Sequence, residues 1–220
     1  MNPSIFEYFD QKGLKGAIFD LDGTLVDSMG VWHRIDEEFL GRRGYPADET
    51  YKQAVKTMKY ETAAHYTIER YGLTESPEEV MAEWDSMALQ EYRYNIKCKP
   101  GAKQLLQELK SRGIRIALAT VSHRALLEAV LKGNDIYELF DVLTDVSQVA
   151  RGKEEPDLYW FAAEQMGLKP QECMVFEDVF LGIASAKRGG FHTCGVKDHA
   201  SDAEEQEIRR VADYFVERFY

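Results

Sequence analysis

The sequence predicts an α/β fold: a doubly wound parallel sheet with an inserted small α-helical module. From Pro100-Gly101 onward, short apolar runs alternate regularly with helical patterns, which is typical of a parallel sheet with helices on both faces. Before that point, a strand-like run at residues 16–21 is followed by a mostly helical stretch, and the next strand-like run begins only at residue 113. Consecutive helices without strands must pack on one another, which predicts a separate module. The predicted bounds are 1–27 and 98–220 for the core and 28–97 for the helical module.

Helical periodicity and capping signals define the module. The clearest helix begins with Ser76 as N-cap, has Pro77 at its first helical position, and has Glu79 in place to complete a capping box. Apolar residues recur at helical spacing along three predicted helices. These residues are, helix by helix, Val31, Ile35 and Phe39; Ala64, Ile68 and Tyr71; and Val80, Trp84, Met87 and Ala88.

The core is predicted to contain six strands separated by helices. The strands are placed at residues 16–21, 114–120, 140–144, 173–177, 191–196 and 212–217. Two of the intervening helices are placed at residues 156–166 and 181–188, and two others carry Leu105, Leu106 and Leu109, and Leu127, Val130 and Leu131.

Composition and charge exclude several classes of function. The chain of 220 residues has 27 Lys and Arg against 38 Asp and Glu, a formal net charge of −11. A field of that sign repels nucleic acid and anionic membranes, so we expect neither as a partner. No apolar run approaches the roughly 18 residues that span a bilayer, and the first residues lack the pattern of a signal peptide. We therefore expect a cytoplasmic protein whose three cysteines are reduced.

The stretch AIFDLDGTLVDSMG, residues 17–30, ends an apolar strand in acidic side chains. In an extended strand Asp20 and Asp22 point to the same side, which predicts two carboxylates in one small space. Such carboxylates repel each other and lose water on burial, so the pair requires a cation or a shared proton. Thr24 and Ser28 bring hydroxyls close by. The alternative interpretation is a solvated turn with two surface aspartates.

Polar side chains follow four of the predicted strands. Doubly wound sheets bind their ligands in the crevice at the carboxyl ends of the strands. Each of these residues alone is weak evidence, but their joint position predicts a functional site at that edge. The residues are Asp20 and Asp22 after the first strand, Thr120 and Ser122 at the second, Lys153 after the third, and Glu177 and Asp178 at the fourth.

Four segments, in order along the chain, carry a family resemblance: DLDGTLVDS, ALATVS, RGKEEPD and VFEDVFLGIASAKRGG. They resemble the four motifs of the haloacid dehalogenase (HAD) superfamily over nearly the whole chain. The similarity is greatest to the subfamily with a helical cap domain after the first motif, which contains phosphatases and beta-phosphoglucomutases. The resemblance implies a Rossmann-like HAD core. Asp22, the second aspartate of the D-x-D pair, implies phosphoryl transfer rather than dehalogenation.

The resemblance implies a catalytic or metal-binding role for four carboxylate residues. Asp20 would attack phosphorus to form an aspartyl-phosphate. Asp22 would protonate the leaving oxygen and then activate water. Mg²⁺ would be bound by Asp20, by the backbone carbonyl of Asp22 and by Asp178, with Glu177 as a further contact, directly or through a water.

The resemblance also implies how the substrate phosphate is bound. The Thr120 hydroxyl and the neighbouring amides of Val121 and Ser122 would donate hydrogen bonds to the phosphoryl oxygens. Lys153 would supply a positive charge as negative charge develops in the transition state.

Two positions depart from the family pattern. Glu154 stands where the third motif usually has a proline, although Lys153, Pro156 and Asp157 remain in register. Val179 stands where the fourth motif usually has a serine, so one hydroxyl near the metal is lost and the geometry around the metal ligands is expected to differ.

The sequence therefore predicts a Mg²⁺-dependent phosphatase that hydrolyses a small organic phosphate monoester through an aspartyl-phosphate. One alternative is a phosphomutase of the beta-phosphoglucomutase type, and another is a non-catalytic phosphate-binding or interaction protein on the same scaffold. We expect a small phosphorylated metabolite as the partner and a monomer as the oligomeric state.

The choice between hydrolysis and mutase chemistry depends on the cap. A mutase must shield the aspartyl-phosphate from water and bind a second phosphate with cationic groups. His33, Lys56 and Lys59 offer at most part of that arrangement, which favours hydrolysis. Together with His65 and Arg70, these residues are candidates for substrate contacts, although each also fits an ordinary helix surface.

Overall fold

The computed structural model describes residues 4–55 and 58–219. Within this part of the chain, six parallel strands form one sheet in the order β3-β2-β1-β4-β5-β6, and helices flank the sheet. The predicted fold class is confirmed. The strands are β1 Gly16–Phe19, β2 Arg115–Thr120, β3 Val142–Asp145, β4 Cys173–Glu177, β5 His192–Val196 and β6 Tyr214–Val216.

The helices separate the strands much as the periodicity predicts. They are α1 Ile5–Lys12, α2 Val31–Arg42, α3 Glu49–Val55, α4 Tyr60–Tyr71, α5 Pro77–Gln90, α6 Ala102–Ser111, α7 Arg124–Gly133, α8 Asp157–Gln165, α9 Phe180–Arg188 and α10 Glu205–Val211. The sequence patterns do not predict α1 or α3. The start of α1 carries a readable signal, because Ser4 and Glu7 form a capping box.

Contacts within the described part of the chain divide it into two compact units. Unit 2 is Met29–Asn95, and unit 1 comprises the segments before and after it. Unit 1 contains the sheet, and unit 2 contains α2 to α5. Among the helices of residues 4–55 and 58–219, none is both long and apolar enough to cross a membrane.

Strand β1 lies at the centre of the sheet in unit 1. It pairs in parallel with β2 on one side and β4 on the other, and all four of its residues are buried. The ring of Phe19 stacks on Phe176 of β4 with centroids 4.2 Å apart. The central position brings the end of β1 beside the ends of both neighbouring strands.

The predicted end of the first strand is wrong by two residues. Strand β1 ends at Phe19, because the chain then folds into a compact loop in which Leu25 and Val26 both donate backbone hydrogen bonds to the Leu21 carbonyl. Asp20 and Asp22 therefore lie beyond the strand, and strand alternation does not determine where their side chains point.

Helices α2, α4 and α5 form the centre of unit 2. Val31, Ile35 and Phe39 are buried on α2, as the spacing predicts, and Phe39 meets Trp84 of α5 edge to face at 5.6 Å. The predicted start of α5 is confirmed: Ser76 is the N-cap, with Pro77 in the first turn and a capping box to Glu79. The apolar residues predicted for α5, Val80, Trp84, Met87 and Ala88, are all buried.

A polar network crosses the interior of unit 2. The Tyr51 hydroxyl donates to Asp36 Oδ1 at 3.2 Å and lies 2.9 Å from the Thr67 hydroxyl. Thr67 donates in turn to the Ala63 carbonyl at 2.7 Å. Burial raises the pKa of the Asp36 carboxyl to about 6, and the hydrogen bond from Tyr51 only partly opposes this shift.

This network makes the stability of unit 2 depend on pH. The pKa of Asp36 is higher in the folded protein than in the unfolded chain. The contribution of Asp36 to the free energy of unfolding is therefore fully present below about pH 4 and is lost as the pH rises through about 6. His33 and Lys52 oppose the shift and Glu37 adds to it. We expect Asp36→Asn to stabilise the protein at pH 7 by about 1–2 kcal/mol, discounted for partial exposure, and to leave it unaffected near pH 4. Thermal melts of both proteins across this range test the prediction, and a constant difference in Tm would contradict it.

Candidate active site

The candidate site lies at the carboxyl ends of β1, β2 and β4 in unit 1. Strands β2 and β3 lie on one side of β1, and strands β4, β5 and β6 lie on the other side. The boundary between β1 and β4 is therefore the topological switch point, where doubly wound sheets bind ligands. Asp20 directly follows β1, Thr120 ends β2, and Glu177 ends β4 with Asp178 next to it. Parallel pairing thus gathers residues that are far apart in the sequence.

Three buried carboxylates form a cluster at this edge. Asp20, Glu177 and Asp178 each place one carboxylate oxygen within 4.8 Å of the others. The Lys153 ammonium group contacts Asp20 Oδ1 and lies 2.5 Å from Glu177 Oε1. All four side chains are at least nine-tenths buried. With every group ionised, three negative charges face one positive charge, so the cluster carries two uncompensated negative charges.

Burial and charge perturb the proton affinities of these groups. Burial raises the pKa of the Asp20 carboxyl well above its usual range, although the Lys153 ammonium opposes the rise. Burial likewise raises the pKa of Asp178 to about 7, with the Glu177 charge adding to the effect. Burial alone would lower the pKa of Lys153, but the Asp20 and Glu177 carboxylates outweigh it and raise this pKa. The cluster therefore favours binding of additional positive charge.

Each carboxylate oxygen of Asp22 accepts a hydrogen bond from a serine hydroxyl. Ser28 Oγ donates to Asp22 Oδ1, and Ser122 Oγ donates to Asp22 Oδ2, both at 2.6 Å. Burial is the main cause of the raised pKa of Asp20, and the negative charge of Asp22 adds to it. The Asp22 side chain is only partly buried.

The loop after β2 holds the residues predicted to bind phosphate. Thr120 is fully buried, and its Oγ1 accepts a hydrogen bond from the Ser122 amide at 3.0 Å. The side chain of Val121, by contrast, is 56% exposed. The structure brings Ser122 to Asp22 and Lys153 to Asp20, which links this loop and the lysine to the two aspartates of the first motif.

Hydroxyl groups of Thr24, Ser201 and Tyr159 donate hydrogen bonds to the carboxylates of the cluster. Thr24 Oγ1 donates to Asp178 Oδ1 at 2.9 Å, and Ser201 Oγ donates to Asp178 Oδ2 at 3.3 Å. The Tyr159 hydroxyl donates to Glu177 Oε1 at 2.7 Å and is buried. Ser201 and Tyr159 are not among the residues that the sequence predicts for the site. No local pattern marks them, since each contacts the cluster only through the tertiary fold.

Two glycines allow the carboxylates to lie this close to the backbone. Gly23 has φ +82°, and a Cβ atom there would collide with the Asp178 carboxylate. A Cβ atom at Gly182 would lie only 2.6 Å from Glu177 Oε2. The glycine of the first motif therefore serves both the left-handed turn and the close approach of Asp178.

The site fits a divalent cation. Carboxylate oxygens are the ligands that Mg²⁺ prefers, and the uncompensated charge of the cluster matches that of a divalent ion. In addition, Glu177 Oε2 is buried without a hydrogen-bond partner among the described residues. Buried polar atoms are seldom left unsatisfied, so a cation at this cluster would give Glu177 Oε2 a partner.

The residues of unit 2 that are candidates for substrate contacts lie on its surface. His33, Lys59, His65 and Arg70 are exposed, and Arg70 Nη2 pairs with Asp48 at 2.9 Å. Lys56 lies outside the described residues.

The fold and the site define a doubly wound α/β protein with buried carboxylates and a lysine at the switch point of its sheet. Residues 14–190 match the family model of haloacid dehalogenase-like hydrolases. The chain belongs to this family, and the predicted family and enzyme class, a hydrolase, are confirmed.

Two of the relatives of this chain have the word phosphatase in their names. The chain is 32% identical over 203 residues to hexitol phosphatase A of Escherichia coli (strain K12), covering 88% of each protein. It is 30% identical over 211 residues to the bifunctional riboflavin kinase/FMN phosphatase of Arabidopsis thaliana, covering 92% of this chain but 55% of that protein. Among solved structures, a provisionally assigned beta-phosphoglucomutase from Thermotoga maritima has a TM-score of 0.83 at 24% identity, covering 92% of this chain and 94% of that one.

Proposed function

We propose that the protein is a Mg²⁺-dependent phosphatase that hydrolyses small organic phosphate monoesters through an aspartyl-phosphate on Asp20. The observation that carries the proposal is the buried cluster of Asp20, Glu177 and Asp178 with Lys153 at the switch point of the sheet. The names of the relatives support a small phosphorylated metabolite, such as a polyol phosphate, as the substrate.

The proposed reaction has two steps. In the first, a carboxylate oxygen of Asp20 attacks phosphorus, the ester P–O bond breaks, and the leaving oxygen takes a proton from Asp22. In the second, water attacks the aspartyl-phosphate, gives a proton to Asp22, and releases inorganic phosphate together with the free Asp20 carboxylate. Ser28 and Ser122 orient Asp22 for both transfers, because each of them donates to one of its oxygens.

The remaining site residues would bind the substrate phosphate and the metal ion and would stabilise the transition state. Thr120 and the amides of Val121 and Ser122 would hold the phosphoryl oxygens, and Lys153 would keep Asp20 ionised and offset negative charge in the transition state. Asp20, Glu177, Asp178 and the carbonyl of Asp22 would hold Mg²⁺. When bound, this ion supplies charge neutralisation for the carboxylates and the substrate phosphate.

A panel of phosphate esters tests the function. We expect steady release of inorganic phosphate from sugar or polyol monophosphates in the presence of Mg²⁺, with no requirement for a bisphosphate primer. Conversion of glucose 1-phosphate to glucose 6-phosphate that outpaces phosphate release, and that the bisphosphate accelerates, would instead establish the mutase. A protein that hydrolyses neither the panel nor p-nitrophenyl phosphate at any metal concentration would be a non-catalytic member of the family.

Metal dependence gives a separate prediction. EDTA should abolish activity and Mg²⁺ should restore it. Asp178→Asn should raise the Mg²⁺ concentration for half-maximal activity by about 10- to 100-fold, because a neutral amide replaces a charged ligand. Asp145→Asn is the matched control, since Asp145 also lies at the end of a parallel strand and is buried, but outside the carboxylate cluster. Identical metal titrations for Asp178→Asn and the wild type would place the metal elsewhere.

A further inference from the structure

Two short segments of unit 1, one before and one after unit 2 in the sequence, pair in antiparallel orientation. Segments 25–27 and 97–99 exchange two backbone hydrogen bonds, of 3.0 and 2.8 Å, around a bridge between Val26 and Cys98. We call these two segments the linker pair. Segment 97–99 returns the chain from unit 2 to unit 1.

One side chain attaches the returning segment to the body of unit 1. Asn134 Oδ1 accepts from the Cys98 amide at 2.9 Å. Asn134 Nδ2 donates to the Ile96 carbonyl at 3.0 Å and to the Val130 carbonyl at 2.8 Å. An asparagine amide has two N–H donors, and both are used here. The same side chain therefore joins the end of α7 to two points of the returning chain.

Helix α7 connects this attachment to the candidate active site. It begins at Arg124 with His123 as its N-cap, shortly after residues 120–122 at the end of β2, and Asn134 is its C-cap. Its ten residues span about 15 Å, and Leu127, Val130 and Leu131 are buried along it. A packed helix thus has the phosphate-binding loop at one end and the linker attachment at the other.

A second attachment lies one residue beyond Cys98. Lys99 Nζ donates to the Lys197 carbonyl and pairs with Asp198, both at 2.8 Å, and both charged side chains are largely buried. The returning segment is therefore held at successive residues by two different elements of unit 1.

We infer that Asn134 is a positioning residue: it fixes the returning linker to unit 1, and through this linker it sets how sharply the enzyme discriminates between substrates. It contacts neither the carboxylate cluster nor the residues assigned to the substrate phosphate in the described hydrogen bonds. Loss of its side chain should therefore loosen the linker while leaving the chemistry at Asp20 intact. The kinetic part of this inference rests on the proposed function and on unit 2 serving as the cap, and the anchoring part does not.

Amide hydrogen exchange measured by NMR tests the anchoring. In Asn134→Ala we expect exchange at the Cys98 amide to accelerate about tenfold or more, as loss of one hydrogen bond allows. The Ile116 amide is an internal control, because it also donates to a side chain of unit 1, Asp141 Oδ2, at 2.8 Å. Asn95→Ala is the control variant, since the Asn95 amide donates to Glu91 instead. Unchanged exchange at Cys98 in folded Asn134→Ala would overturn the anchoring.

Kinetics test the positioning role. The measured quantity is the ratio of kcat/KM for the best phosphate ester of the panel to kcat/KM for acetyl phosphate, a probe too small to depend on the cap. We expect this ratio to fall about 3- to 10-fold in Asn134→Ala through the larger substrate alone, since the core residues are unaltered. Asn134→Asp, which keeps the acceptor for Cys98 but loses both donors, should fall between the wild type and Asn134→Ala, and it replaces Asn134→Ala if that variant does not fold.

The two proposals fail in different ways. A wild-type protein that hydrolyses neither probe would refute the proposed function and with it the kinetic role of Asn134, whereas exchange at Cys98 would still decide the anchoring. Faster exchange at Cys98 with an unchanged kinetic ratio would show that Asn134 is only structural and would overturn its positioning role.

Discussion

Replacing Asp20 by asparagine should lower kcat by about 10⁴-fold or more while the protein stays folded. The amide has nearly the shape of the carboxylate, but it is a far poorer nucleophile and a weaker metal ligand. Because the ionised cluster has three negative charges against one positive charge, the neutral amide removes one uncompensated charge and should not destabilise the cluster severely. Phosphate release from the best ester of the panel, measured with the thermal melting temperature, checks both parts of this prediction.

The control for this variant is Asp10→Asn. Asp10 lies on α1 in unit 1 and is largely exposed, with Arg112 3.9 Å away, so the same chemical change there should alter neither kcat nor Tm measurably. Trapping of a phosphorylated protein after acid quench should succeed with the wild type and fail with Asp20→Asn. A kcat near that of the wild type in Asp20→Asn would place the nucleophile on another residue.

Replacing Lys153 by methionine should produce the second large effect. The ammonium group lies between Asp20 and Glu177, so its loss leaves three buried carboxylates without their positive partner. Breaking such a buried pair costs about 3–5 kcal/mol of stability, and loss of the charge in the transition state lowers kcat by about 10²- to 10³-fold. Added Mg²⁺ should recover part of the stability and little of the activity, because a cation replaces the charge but not its position.

Melting in EDTA and in Mg²⁺, together with kcat, measures both effects. Lys15→Met is the matched control, since Lys15 is an exposed lysine of unit 1 that pairs with Glu172, and exposed pairs contribute little. Wild-type stability of Lys153→Met in EDTA would contradict the prediction, because the carboxylates would then not depend on the lysine charge.

Local signals were sufficient for much of the fold. The apolar spacing of α2 and the capping box of α5 depend only on residues that are close in the sequence. Both can therefore be predicted from the sequence directly. The same holds for the motif residues at strand ends, because the end of an apolar run also marks the end of a buried strand. The end of β1 was misplaced because its apolar pattern continues into a loop whose hydrogen bonds to Leu21 are not visible in periodicity.

The sequence alone determined the kind of chemistry: acidic, hydroxyl and lysine side chains at the ends of parallel strands, and a helical insertion after the first of them. Only the tertiary structure decided which of these groups meet. Lys153 reaches Asp20 across 133 residues of sequence, because helix α8, which begins shortly after Lys153, packs Leu158 and Ala162 against Ile18 of β1. The tertiary structure also placed the Ser28 and Ser122 hydroxyls on Asp22 and added Tyr159, Ser201 and Asn134. Such contacts depend on strand order and on side-chain hydrogen bonds between distant segments, and no local pattern of residues specifies either of these.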